Sequence, residues 1–248
     1  MKPKTTEHTT LSRGYSSATQ PRIAIALSAL AALAIMPAEG TVIASFNFTG
    51  SSLASNDSSL DSTASDFIAS GFTSSFDTTN GNAAPSLAIT TSSTGPLGGG
   101  TGELTEANAI SNEDYYSFTI TPTLDPGDSL DFTSFTFDVA GRNSNSNSRY
   151  VLRASTDSYA TTLGVTGTVS LASDPSTWVS QNFTLSDDSI LQGVTAATTF
   201  RLYLIDNRGS TAHILIDNVI LNATTVPEPN AALLGAVGFI ALLRRRRV

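Results

Sequence analysis

From Thr41 to Asn222 the chain is built of short runs in which apolar and polar residues alternate, each closed by Gly, Pro, Asn or Asp; at both ends the apolar residues form unbroken blocks instead. A period of two marks strands with one buried face, and no window between the two blocks sustains a helical period. Residues 42–48 predict a first strand carrying Val42, Ala44, Phe46 and Phe48 on one face. Tyr116, Phe118 and Ile120 alternate with Ser117 and Thr119 until Pro122 ends the run. Asp125-Pro126-Gly127-Asp128 has the residue types of a tight turn. Beyond it, Leu130 and Phe132 share one parity while Phe135, Phe137 and Val139 share the other. One extra residue near Thr133-Ser134 would put all five on the same face, so a β-bulge is predicted there.

Tyr150 and Leu152 alternate with Val151 and Arg153, and further strands are predicted over 163–171, 178–185, 199–206 and 212–221. Asp206-Asn207-Arg208-Gly209 reads as the last hairpin loop. The final strand is apolar on both parities, Ile214, Ile216 and Ile220 against Leu215, Val219 and Leu221, which predicts burial on both faces. Residues 53–104 are less regular and predict one or two strands around 67–76 and 87–91. Eight or more short strands with regular turn signals, and no internal repeat, predict an all-β fold with a single β-sandwich of jelly-roll type.

The two apolar blocks look like addresses. Met1 to Arg22 is polar and weakly basic, residues 23–35 are apolar except for Ser28, Pro37 breaks the run, and Ala38-Glu39-Gly40 sets small residues around a cleavage position. That order is a secretory signal peptide spanning 1–40, cut by signal peptidase after Gly40 in preference to Ala38. The long polar start leaves room for a true start downstream of Met1. At the other end Val226-Pro227-Glu228-Pro229-Asn230 is followed by thirteen uncharged residues, 231–243, and then by Arg244, Arg245, Arg246 and Arg247 before Val248. Two prolines keep the peptide extended. The thirteen residues make a helix of about 20 Å, short of a hydrocarbon core of roughly 30 Å, and snorkelling arginines would help it span. The positive-inside rule keeps the four arginines cytoplasmic and the sandwich outside.

Pro227-Glu228-Pro229, a short apolar helix and a terminal arginine cluster, in that order at the chain end, resemble the PEP-CTERM sorting signal of Gram-negative and related bacteria, also catalogued as an ice-binding protein C-terminal domain. The resemblance covers residues 226–248. It implies recognition by an exosortase, processing near the Pro-Glu-Pro motif, transient anchoring in the inner membrane through the helix, and delivery to the cell envelope, outer surface or exopolysaccharide matrix. The domain left between the ends is 41–225. Its Phe46-Asn47-Phe48 near the start and Ile216-Asp217-Asn218-Val219-Ile220-Leu221 at the end resemble carbohydrate-binding-module or galactose-binding-like jelly rolls, a likeness of fold.

Charge narrows the partners. Between Thr41 and Thr225 there are eighteen Asp and Glu against five Arg and no Lys, a net charge of −13. Such a domain repels phosphate backbones, so nucleic acid is excluded as a partner. There is no cysteine, hence no disulfide and no thiolate metal site. The region has one histidine, His213, and no nucleophile elbow, zinc-binding helix or phosphate loop, so a non-enzymatic protein is expected.

Two chemistries remain. Asp217 stands in an otherwise apolar strand, and a buried carboxylate must be paired, hydrogen-bonded or metal-bound. A calcium ion would take Asp217 with Asp57 or Asp66, as the resembled jelly rolls imply; a loop amide or Arg208 is the alternative partner. No other cofactor is required. Polysaccharide binding would use an aromatic platform with polar neighbours: Trp178, Tyr115, Tyr159 and Tyr203, with Arg149, Arg153 and Arg201 as donors. The function expected is thus an exported, non-catalytic envelope or matrix protein that binds polysaccharide. The alternatives are a secreted hydrolase with a carboxylate pair, or a structural or adhesion spacer.

Overall fold

The computed structural model describes residues 40–71, 74–77, 86–89, 105–142, 146–174, 176–207 and 213–228. The expected signal peptide, Pro229, the apolar helix 231–243 and Arg244 to Arg247 lie outside the described residues. Gly40 is exposed and immediately precedes the first strand. Among the described residues no helix is long and apolar enough to cross a membrane.

Two antiparallel sheets face each other. The first, sheet A, contains β1 (Thr41–Phe46), β4 (Ser74–Asp77), β5 (Ser86–Ile89), β7 (Ser129–Arg142), β11 (Val179–Thr184) and β13 (His213–Val226), in the order β11-β7-β13-β5-β4 with β1 also against β13. The second, sheet B, runs β10 (Val169–Leu171), β8 (Ser146–Ala154), β12 (Thr198–Asn207), β6 (Tyr115–Pro122), β2 (Ser62–Ala64). There β3 (Ile68–Ser70) also pairs with β6, and β9 (Gly164–Val165) with β8. From β5 onward the chain repeatedly crosses between the sheets, as a jelly roll does, so neighbouring strands are rarely consecutive.

The inner faces close over an aromatic core. Phe118 of β6 lies 5.2 Å from Phe46, 5.9 Å from Phe67, 6.0 Å from Phe135 and 5.6 Å from Phe200, ring centre to ring centre. Phe67 is fully buried although it belongs to no strand: it fills the gap between β2 and β3, and its ring stacks on Tyr116 at 5.1 Å. Its amide donates to the Leu53 carbonyl, which holds the break in place.

The predicted bulge is found. Asn222 pairs with Ser134 and the next residue, Ala223, with Phe132, so Thr133 is the extra residue, and Leu130, Phe132, Phe135, Phe137 and Val139 are all buried. A second bulge, not predicted, shifts the register of β1 between Val42 and Ala44. It turns Val42 out, 40% exposed, and Ile43 in, so the expected face of Val42, Ala44 and Phe46 is wrong by one residue at its start. Phe48 is buried but lies past the strand, in a left-handed conformation that opens a 3-10 turn.

The strand expected over 163–171 is split into β9 and β10, and β2 was not foreseen. Nor was a short helix, α1 (Glu106–Ser111), capped by Thr105, whose Oγ1 accepts from the Asn108 amide. In β13 both parities are buried over Ile214, Leu215 and Ile216, as expected, but a bulge between Asp217 and Ile220 breaks the pattern and Asn218 turns outward with φ +48°.

Candidate functional site

The outer face of sheet A carries a strip of chemistry. On β7, Phe135, Phe137 and Val139 point inward, so Ser134, Thr136, Asp138 and Ala140 point outward. The register sets Ser180 beside Asp138 and Asn182 beside Thr136 on one side, and Asp217 beside Asp138 and Ile220 beside Thr136 on the other. An open groove of about 310 Å³ results, walled by Thr136, Asp138, Ser180, Gln181, Asn182 and Asn218. Trp178, half-buried, stands one alternate position before Ser180 and packs on Ala140 and Leu215 of the same face. Its indole nitrogen is enclosed and has no hydrogen-bond partner.

The groove is held rigid by its own hydrogen bonds. Asp138 accepts from the Ser180 hydroxyl through Oδ1 (2.5 Å) and from the Asn218 side-chain amide through Oδ2 (2.9 Å). The bulge makes the second bond: it swings Asn218 out over the groove, and the Asn218 backbone amide donates to Asp217 Oδ1 (2.8 Å). Asp217 is only 5% exposed, and burial, with the Asp138 charge adding to it, pushes its carboxyl up to about 6 against the lowering effect of the Asn218 amide.

The other expected contacts lie elsewhere. Tyr203, Arg149 and Arg153 are on the outer face of sheet B, across the sandwich from Trp178, so these four residues do not form one site. Tyr203 is 2% exposed and packs with Ala109 of α1, Tyr115, Val151 and Ile205. Arg153 pairs with Glu106 (2.9 Å) and donates to the Tyr159 carbonyl (2.8 Å). Arg149 is half-buried opposite Ile205.

Asp217 meets Asp138, Asp57 turns on its own loop to accept the Ser59 amide (3.0 Å), and Asp66 is exposed. Among the described residues no three acidic or histidine side chains converge on a metal-sized space. Of the sorting motif, Pro227 and Glu228 are exposed directly after β13, and the Glu228 amide donates to Asp128 of the Asp125–Asp128 turn (3.1 Å). The groove residues Asp138, Ser180, Asn182 and Asn218 were not singled out from the sequence. The shared parity of Ser180 and Asn182 on β11, like the outward position of Asp138 on β7, was readable, but the pairing of those two strands and the bulge that turns Asn218 outward were not.

No family model matches the chain, and no curated protein matches it. Among solved structures it is similar to the CBM22-1 xylan-binding domain of Paenibacillus barcinonensis Xyn10C, at 12% identity and a TM-score of 0.40, covering 76% of this chain and 98% of that one. It is also similar to the K3 adhesin domain of Lys-gingipain from Porphyromonas gingivalis (15% identity, TM-score 0.38, 73% and 99% covered). A third is the family 11 carbohydrate-binding module of Clostridium thermocellum (10% identity, TM-score 0.33, 73% and 96% covered). These are loose likenesses; the strand pairing of the two sheets itself makes this chain a β-sandwich.

Proposed function

We propose that this is an exported, non-catalytic protein of the cell envelope or extracellular matrix, sorted by a PEP-CTERM/exosortase system, whose sandwich binds neutral polysaccharide along the outer face of sheet A. The observation that carries the binding reading is the pairing of Trp178 with a groove of hydroxyl, amide and carboxylate groups. A sugar ring has an apolar C–H face that suits an aromatic surface, and a rim of hydroxyls that needs both donors and acceptors. Ser180, Asn182, Asn218 and Asp138 supply both kinds. The open shape suits a chain that runs through and not a small molecule that must be enclosed.

Affinity electrophoresis of the mature domain in gels containing xylan or mixed-linkage β-glucan tests the reading. Trp178→Ala is expected to weaken retention at least about tenfold, or roughly 1.4 kcal/mol. Unchanged retention, or none in the parent protein, sinks it and leaves the spacer reading.

The Asp138–Asp217 pair favours a second reading, a hydrolase built on two neighbouring carboxyl groups, of which Asp217 is raised by burial. Against it, Asp138 lines the groove while Asp217 lies behind Asn218 with little surface of its own. Release of reducing sugar that Asp138→Asn abolishes would reverse that preference.

Export and sorting rest on the two chain ends as read in the sequence. Intact mass of the protein from cells with and without the sorting enzyme is expected to differ by the tail beyond the Pro227-Glu228-Pro229 motif. Equal masses refute the sorting half of the proposal.

A further inference from the structure

The outer face of sheet B gathers positive charge in a domain that has very little. Three of the five arginines between Thr41 and Thr225, Arg149, Arg153 and Arg201, stand on it, while the region as a whole carries −13. Arg153 is already used by Glu106 and the Tyr159 carbonyl. Arg201 is not: among the described residues no carboxylate pairs with it, and its one hydrogen bond is from Nη1 to the Tyr203 hydroxyl, a long 3.4 Å.

Its surroundings are built. The guanidinium carbon lies 4.3 Å from the centre of the Tyr115 ring and 4.0 Å from that of Tyr159. Cation–π contacts therefore occupy the Tyr115 and Tyr159 sides of the group. What remains is the edge of the guanidinium plane, where its N–H groups form the fork that fits a carboxylate.

Tyr159 does not reach this place cheaply. Ser158 and Tyr159 are consecutive non-glycine residues in the left-handed region, with φ of +61° and +62°. In that region Cβ crowds the following carbonyl oxygen, and a bulky side chain is rare there. The loop is over-determined to hold it: Asp157 accepts the Ala160 and Thr161 amides, and Arg153 grips the Tyr159 carbonyl. Local strain braced in this way is a feature of ligand sites.

We infer that Arg201, clamped between Tyr115 and Tyr159, is a carboxylate-binding site for an acidic, uronic-acid-containing polysaccharide. With three of the five arginines of a region of charge −13 standing on it, this face opposes such a chain less than the net charge of the region would. The site lies on the opposite sheet from the Trp178 groove, and either can fail without the other.

The test is calorimetric titration of the mature domain with an oligogalacturonate, its methyl-esterified counterpart and free acetate. The acid form is expected to bind at least about tenfold tighter than the ester, to weaken as salt is raised, and to lose that advantage in Arg201→Gln. Tyr159→Gly relieves the left-handed strain while removing one ring, so it is expected to fold at least as stably and still bind the acid form several-fold more weakly. That variant keeps the inference testable should Arg201→Gln fail to fold. Equal binding of acid and ester overturns it, as does acetate binding as tightly as the oligomer, or Tyr159→Gly keeping the parent affinity. Loss of xylan retention in Trp178→Ala is expected to be unaffected by any of these outcomes.

Discussion

Replacing Phe118 by alanine is expected to remove about 4 kcal/mol of folding free energy, the upper part of the range for a buried aromatic residue. The ring is 3% exposed and meets Phe46, Phe67, Phe135 and Phe200, which come from β1, the β2–β3 break, β7 and β12. Those partners belong to both sheets, so no small shift of one strand can close the cavity. Each lost ring pair adds to the transfer cost, at about 0.5–1.5 kcal/mol. A domain of this kind has roughly 5–15 kcal/mol in total, and no disulfide is present to limit the loss. Urea unfolding of the mature domain measures it as a shift of midpoint at constant slope. Ile68→Ala, at a side chain 51% exposed, is the comparison and is expected to change stability by no more than about 0.5 kcal/mol. A loss below about 1 kcal/mol for Phe118→Ala would show that the aromatic column is not the centre of the core.

The column itself was largely legible. Strand positions such as Phe118, Phe135, Phe137 and Leu152 follow from alternation, and the bulge at Thr133 follows from a conflict of parity that the sequence displays openly. The bulge in β1 was hidden because Val42, Ala44 and Phe46 show no conflict; Ile43 replaces Val42 inside only because of how β1 pairs with β13. Helix α1 is too short to show a period, and its only signal was Thr105 three residues before Asn108. The sites were less legible for a different reason. Period-two patterning separates inside from outside but does not say which outer face a loop or helix will cover. Tyr203 and Trp178 looked equally available, yet Tyr203 is roofed by Ala109 of α1 while Trp178 is half open. Arg201 and Tyr159 meet only through a loop with two left-handed residues, which no alternation encodes. Asp217 was noticed as a misplaced carboxylate, and its partner proved to be Asp138 with Asn218, set by a bulge in the same strand.

Asp114→Asn is expected to stabilise the domain at pH 7 and to reverse part of an unusual pH dependence. Asp114 lies where α1 hands over to β6, fully buried, with neither carboxylate oxygen hydrogen-bonded. Glu113, left-handed at φ +57°, turns it inward, and Gly71 makes room for it, since a Cβ there would run into the Asp114 carboxylate and the Glu113 carbonyl. Burial alone pushes its carboxyl from 3.8 up to about 6. Between those values the folded protein holds a proton that the unfolded chain has released, so stability falls as pH rises through this window. The size is on the order of 3 kcal/mol by pH 7. Asp217, raised to about 6 chiefly by burial, acts in the same direction. The parent domain is therefore expected to resist urea better at pH 5 than at pH 7, the opposite of a protein held by ionised carboxylates. Asparagine at 114 keeps the shape and cannot ionise, so it should raise the pH 7 midpoint by most of that amount while changing little near pH 4. The remaining slope would belong to Asp217 and to Asp188, which burial and the Asp187 charge also raise, so Asp114→Asn combined with Asp217→Asn should remove most of the slope between pH 4 and 7. If Asp114→Asn leaves the difference between pH 5 and pH 7 untouched, the carboxyl is finding a partner or water in solution and the buried charge is not a liability.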